Sequence, residues 1–282
     1  MSGDRWATLP DEEPGRKNSR VPTALDPFAP LRLTLATSDG ERLAAVHLDG
    51  PDPDRSLAVV VAHGFTGSLA KPGLQAVVQA LSAHAGVVAF DFRGHGGSTG
   101  VSTLGDREIL DLEAAVAYAR SLGYRRVVTC GWSMGGSVVL RHAALLGGVD
   151  AVVSVSAVSR WFYKGTKPMR RLHWAVETRL GRLAARRLTG TRISGAGWDA
   201  GELPASPTEV AGRISPIPLL VVHGDRDHYF PLEHPQAIFD AANEPKELWL
   251  VEGFGHAESG ATPEILDRIG RHLRVLVEQA AV

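Results

Sequence analysis

An α/β architecture, a largely parallel sheet covered on both faces by helices, is what this sequence predicts, and three observations carry the prediction. Short β-branched runs alternate with longer stretches of helical period. The runs are apolar at every step instead of every second one, the pattern of strands buried on both faces. The alternation breaks once, at about 157, and resumes at 217. With 282 residues and 44% apolar content the chain has ample material for the single large core this fold needs.

Taken in order, the first 29 residues, rich in acids and prolines, predict a flexible tail. "LRLTLATSDGERLAAVHL" (31 to 48) holds two strand-like runs around Asp39-Gly40, a hairpin signal. "LAVVVA" (57 to 62) precedes a helix near 73 to 84, and "VVAF" (87 to 90) precedes one near 106 to 121. "RVVTC" (126 to 130) leads to a helix near 135 to 146, and "AVVSVS" (151 to 156) ends the first block. After the break, "IPLLVVHGD" from Ile217, a helix near 234 to 242, "KELWLVE" (246 to 252) and a final helix from about 263 complete the order. The sixty-odd residues between carry no strand pattern, and a segment that long predicts structure of its own. The expected organisation is a core from 31 to 156 and 217 to 282, with a helical cap inserted at 157 to 216.

Bulk properties exclude several classes. A formal net charge of −1 supplies no global field for nucleic acid. Cys130 is the one cysteine, so no internal disulfide forms, and no apolar run reaches the roughly 20 residues of a membrane span. The opening residues lack the apolar stretch of a signal peptide, which predicts a cytoplasmic protein.

The chemistry concentrates where strands end. Gly131-Trp132-Ser133-Met134-Gly135 is a G-x-S-x-G between a predicted strand and a predicted helix, the context of a nucleophile elbow. There the backbone turns sharply and projects Ser133 Oγ from the C-terminal edge of the sheet. A serine hydroxyl needs a base to take its proton, and the base needs an orienting carboxylate. "LLVVHGDRDHYFP" runs from a strand into a loop holding Asp225 and Asp227, either of which could accept from a histidine. "LWLVEGFGHAESG" runs from a strand into a loop whose small residues frame His256. His272 falls in the apolar-periodic last helix and reads as structural, and His228 and His234 read as shaping the loop beside Asp227. The His223, Asp225 and Asp227 cluster leaves a single strand and converges poorly for a metal. In "AHGFTGS" (62 to 68) glycines free backbone amides to point into the site; the Phe65 N–H and the Met134 N–H are the expected oxyanion donors.

"HGFTG", "DFRGHGGSTG" (91 to 100), "GWSMGG", "GDRDHYFP" and "GFGH" occur in an order that resembles the α/β-hydrolase superfamily, in its serine-dependent branch, over about 31 to 282. The resemblance implies a mostly parallel eight-stranded sheet with an antiparallel second strand and a lid after the sixth. It selects Asp227 over Asp225 through the G-x-x-D spacing, and it implies that Arg93 and His95 are structural. The "HGGG" stretch of some lipases is absent, and Trp132 stands where relatives often carry His. A serine at 133 argues against relatives that use an aspartate nucleophile to open epoxides or displace halide.

The implied function is acyl-ester hydrolysis by Ser133, His256 and Asp227, without metal or organic cofactor, on a small-molecule acyl substrate. The alternatives are a thioesterase or acyltransferase acting on a phosphate-bearing carrier, and a binding protein on the hydrolase fold. Trp132, Trp161 and Phe162 are candidate pocket walls. Within the insertion, "PMRRLHWAVETRLGRLAARRL" (168 to 188) predicts one amphipathic helix with Leu172, Val176, Leu180, Leu183 and Leu188 on its apolar face. Lys164, Lys167, Arg170, Arg171, Arg179, Arg186 and Arg187 form a local basic surface around it.

Overall fold

The structure, a computed structural model, describes residues 31–195 and 203–279. The predicted N-terminal tail lies outside the described residues, as does part of the insertion. Eight strands form one sheet: β1 (Leu31–Ala36), β2 (Arg42–Leu48), β3 (Leu57–Ala62), β4 (Gly86–Phe90), β5 (Arg126–Trp132), β6 (Ala151–Val155), β7 (Leu219–Gly224) and β8 (Lys246–Val251). Their order is β1-β2-β4-β3-β5-β6-β7-β8. β2 pairs antiparallel with β1 and β4, and every other neighbour is parallel.

The unbroken apolar strands are explained by two cores. In β3, Val59 and Val61 face one side with α1 (Pro72–Ser82) and α9 (Pro263–Gln279), where Leu74, Leu81, Ile269 and Leu273 are buried. Val60 faces the other side with α2 (Glu108–Ser121), α3 (Met134–Leu145) and α7 (Glu233–Ala241), which contribute Leu112, Val138 and Ile238. Side chains alternate across a strand, so a strand sandwiched between helix layers is apolar at each position. Arg93 is buried beneath the β1–β2 hairpin, bonded to Asp39 at 2.7 Å and to Asp111 at 2.7 Å, a structural ion pair.

The strand order positions the site. From β3 the chain goes to β4 on one side, whereas β5 onward lies on the other. The crevice of an open α/β sheet forms at that reversal, outside the carboxyl ends of β3 and β5.

Between β6 and β7 the predicted single helix is two: α4 (Lys167–Glu177) and α5 (Arg179–Thr189). Thr178 is extended and serves both ends, donating from Oγ1 to Trp174 O at 2.8 Å and accepting from Gly181 N at 2.9 Å. That capping hydroxyl ends one helix and starts the next. The break overturns the continuous apolar face: Val176 is buried, but Leu180 and Leu188 are 73% and 83% exposed, and Gly181 and Ala185 take the inner face of α5. Further on, α6 (Pro207–Val210) is followed by Ala211 and Ile214, which pack into the core beside α3. α8 (Ala257–Gly260) is a single turn after β8.

Candidate functional site

Ser133 follows β5 with φ 51° and ψ −114°, a strained conformation for a residue with a Cβ, and its N–H is held by Val155 O at 2.9 Å. The flanking glycines are required by close approach. A Cβ on Gly131 would lie 2.1 Å from Gly135 O, and one on Gly135 would lie 2.2 Å from Ala62 O. The strand-to-helix turn is thereby pressed against its own helix and against the end of β3.

His256, after β8, reaches across to this serine. Its Nε2 lies 2.9 Å from Ser133 Oγ, and its Nδ1 lies 2.7 Å from Asp227 Oδ2. The Asp227 side chain is fully buried; its second oxygen accepts from the amides of Tyr229 at 2.8 Å and Phe230 at 3.0 Å. Burial pushes this carboxyl up, but the His256 hydrogen bond, the His256 charge and the Phe230 amide outweigh it and hold Asp227 below the usual carboxylate range. An ionised Asp227 can only accept, so His256 carries its proton on Nδ1 and presents the Nε2 lone pair to the Ser133 hydroxyl. Tyr229 stacks on the imidazole with centroids 4.3 Å apart and Phe230 meets it edge-on, so the ring is clamped on its faces as well as at both nitrogens.

Asp225 has another task. Its Oδ1 accepts from Gly253 N at 2.7 Å, bracing the loop after β8. His223 is spent on Phe230 O at 2.8 Å, His234 accepts from Ser159 N at 3.1 Å, and His272 pairs with Glu247 at 3.1 Å. Among the described residues no group of three His, Cys, Asp or Glu converges as a metal cluster.

The loop after β3 is fixed group by group. His63 Nε2 accepts from Phe92 N at 3.0 Å, so its Nδ1 carries the proton and donates to Gly64 O at 2.7 Å. Thr66 N donates to His95 Nε2 at 3.3 Å, and Gly67 N to Gly64 O at 2.9 Å. Gly64 N donates to Glu258 Oε1 at 2.7 Å. Burial and the neighbouring His95 press His63 down to about 3, and burial lowers His95 too, so both act as neutral rings with fixed tautomers. Among the described residues no acceptor takes the N–H of Phe65 or of Met134. These are the two amides the sequence singles out, one in the loop after β3 and one opening α3.

A cavity of about 890 Å³ opens over these groups, with Ser133, Met134, Phe65 and His256 in its wall. Residues between β6 and β7 form much of the remainder, including Trp161, Phe162, Met169 and Leu172. Trp132 does not contribute. It is wholly buried in the core with Val61 and Val153, because alternation along β5 points it under the sheet edge and not into the crevice. Sequence reasoning missed Glu258, Tyr229 and the role of His63; the runs "HAE" and "DHYF" beside predicted residues were the available signal.

A family model described as the alpha/beta hydrolase fold matches residues 58–192. An esterase of Pyrococcus furiosus superposes with a TM-score of 0.70 at 25% identity, covering 89% of this chain and 92% of that one. A polyketide transferase of Stachybotrys chlorohalonatus is 27% identical over 249 residues, 73% of this chain and 83% of that protein. The uncharacterized protein YfhR of Escherichia coli is 25% identical over 245 residues, 83% of this chain and 76% of its own length.

Proposed function

We propose that the chain, with the α/β-hydrolase fold its family match and structural neighbours support, is a serine hydrolase that cleaves a carboxylic ester through an acyl-enzyme. The observation that carries the reading is the hydrogen-bonded line from Asp227 through His256 to Ser133 Oγ, at 2.7 and 2.9 Å, in the wall of a large and mainly apolar cavity. Ser133 Oγ attacks the acyl carbonyl while His256 Nε2 takes its proton; ionised Asp227 stabilises the imidazolium. The carbonyl oxygen, now anionic, is met by the Phe65 and Met134 amides, which among the described residues have no other partner to give up. His256 returns its proton to the departing alcohol, and water, deprotonated by the same nitrogen, releases the acid and regenerates Ser133.

The segment 157–216 acts in this reading as a cap that excludes water from the acyl group. Its support is that one cavity is lined both by Ser133 and by residues of α4 and α5. Cavity size and lining favour an extended or bulky apolar acyl group. A cytoplasmic setting belongs to the same proposal; among the described residues no helix is long and apolar enough to cross a membrane.

A second reading, a thioesterase or acyltransferase working on a phosphate-bearing carrier, has one specific observation in its favour. A shallow cleft of about 310 Å³ lined by Lys167, Arg170, Arg171 and Trp174 adjoins the main cavity and shares Arg171 and Trp174 with it. Cations there would meet the phosphates of a carrier whose acyl end lies at Ser133. The deciding experiment is turnover of p-nitrophenyl esters of graded chain length against acyl-CoA thioesters of the same acyl groups. The ester reading expects kcat/KM higher on the neutral esters and rising with chain length; a preference for the CoA thioesters by tenfold or more would replace it with the second reading.

A further inference from the structure

Glu258 stands two residues after His256, half-buried in the cavity wall, and it has no part in the chemistry above. Its Oε1 accepts the Gly64 N–H at 2.7 Å across a sequence separation of 194 residues. Gly64 lies against the serine: a Cβ on it would sit 3.2 Å from Ser133 Cβ and 3.3 Å from Glu258 Oε2. The peptide that joins Gly64 to Phe65 is planar and trans, so its N–H points opposite to its C=O. His63 Nδ1 and Gly67 N hold that carbonyl from one side. What remains to be fixed is the rotation of the unit about Gly64, and glycine, with no Cβ, resists rotation least of all residues. The bond to Glu258 supplies the missing constraint.

We infer that Glu258 is a positioning residue: by pinning Gly64 N it aims the Phe65 N–H at the oxyanion, and it couples the loop after β3 to the segment that carries His256. The argument rests on the serine-hydrolase reading. The segment is itself anchored, since Ala257 adopts φ 48° and its N–H is held by Ser156 Oγ at 3.1 Å. Residues 256 to 258 thus deliver the base and the loop clamp from one short, fixed stretch. Burial pushes the Glu258 carboxyl up. Protonated or ionised, it keeps an oxygen able to accept from Gly64, so the clamp depends on where the acceptor lies more than on its charge.

That dependence makes the test specific. Glu258→Gln retains an acceptor at the same reach, Glu258→Asp keeps the charge but falls one methylene short, and Glu258→Ala removes both. On a neutral p-nitrophenyl ester turned over by the wild type, Glu258→Gln should stay within about threefold of wild-type kcat. The Asp and Ala variants should lose about 10- to 100-fold in kcat with KM changed less than about twofold, somewhat under the cost of deleting an oxyanion donor outright. Inhibition by a trifluoromethyl ketone, whose adduct places an oxyanion in the same spot, should weaken in step with kcat. Circular dichroism and thermal melts establish that each variant is folded, and if the Ala variant is not, the Gln and Asp pair carries the comparison. Full activity in the Asp and Ala variants alongside an inactive Ser133→Ala would overturn the inference and leave the serine reading intact. So would a Gln variant as impaired as Ala. Full activity in Ser133→Ala would overturn both.

Discussion

The loops that leave the sheet and the helix pair between β6 and β7 face each other across one cavity, and they are built on opposite terms. In the loop after β3, the Gly64, Thr66 and Gly67 amides each have an assigned acceptor, and two buried histidines have their tautomers fixed by backbone groups. On α5, Leu180 stands in solvent, Leu188 lines the open side of the cavity while largely exposed, and Arg179, Arg186 and Arg187 are exposed. The first wall is tied to distant parts of the chain, Gly64 to Glu258 and Phe92 to His63; in the second, bonds such as Lys164 to Glu177 and His173 to Glu177 run within the insertion, and Thr166 Oγ1 to Tyr229 O at 3.0 Å ties it to the loop after β7. In the proposed reaction, proton transfer and oxyanion contact, which need close geometry, fall to the first wall.

The largest effect that tests this contrast is Ser133→Ala. Removing the proposed nucleophile should lower kcat by at least about 10⁴-fold while the thermal melt stays close to wild type, since among the described residues Ser133 Oγ bonds His256 alone. A fluorophosphonate should label the wild type and not the variant. Labelling of the alanine protein at an undiminished rate would move the nucleophile to another residue.

Next in size is the separation of the two aspartates. Asp227→Asn leaves a group that donates as well as accepts opposite His256 Nδ1, favouring the wrong tautomer, and kcat should fall by about 10³- to 10⁴-fold. Asp225→Asn keeps an acceptor for Gly253 N and should stay within about threefold. Reversal of that ranking would reassign the orienting acid.

The contrast also explains what the sequence could tell. Strands β3 to β7 were readable because two-sided burial leaves an unbroken apolar signature, and the predicted bounds of β3 coincide with those observed. Ser133, Asp227 and His256 were singled out because each follows a strand in a glycine-framed loop; the structure brings their side chains within hydrogen-bond distance, and their roles belong to the proposed reaction. The role of Glu258 was not, because its partner is an amide 194 positions away, which the neighbouring run "HAE" does not name. The helix of the insertion was misread at Thr178 because periodicity alone cannot distinguish one helix from two that share a capping hydroxyl. Trp132 was misplaced because neighbouring a nucleophile in sequence puts a strand residue on the opposite side of the sheet edge.

A third test acts on stability, chiefly through the first wall. His63 stays neutral in the folded protein down to about 3, whereas an unfolded histidine protonates near 6.5; burial also lowers His95 and His223, and takes His234 to about 4. Between those limits the unfolded chain binds more protons than the folded one, so stability is full above about pH 7 and falls as the pH drops. His63 alone should cost about 2 kcal/mol between pH 7 and 5, by the linkage relation. Calorimetry should record a Tm that declines steadily over that range; a Tm constant from pH 7 to 5 would mean these rings are hydrated or charged in the native state.

The smallest expected effect lies on the second wall, and it decides between ester and carrier thioester. Lys167, Arg170 and Arg171 line the cleft beside the main cavity, and exposed cations act on a phosphate over about 10 Å at 0.1 M salt, changing encounter and KM more than kcat. Replacing the three with glutamine should raise KM for an acyl-CoA by about three- to tenfold, with kcat nearly unchanged. A neutral ester of the same acyl chain should be unaffected, and raising the salt to 0.5 M should imitate the substitutions on the wild type. If the acyl-CoA ignores both the substitutions and the salt, the basic cleft is the solvated side of α4, and the second wall contributes shape and dryness but no charge recognition.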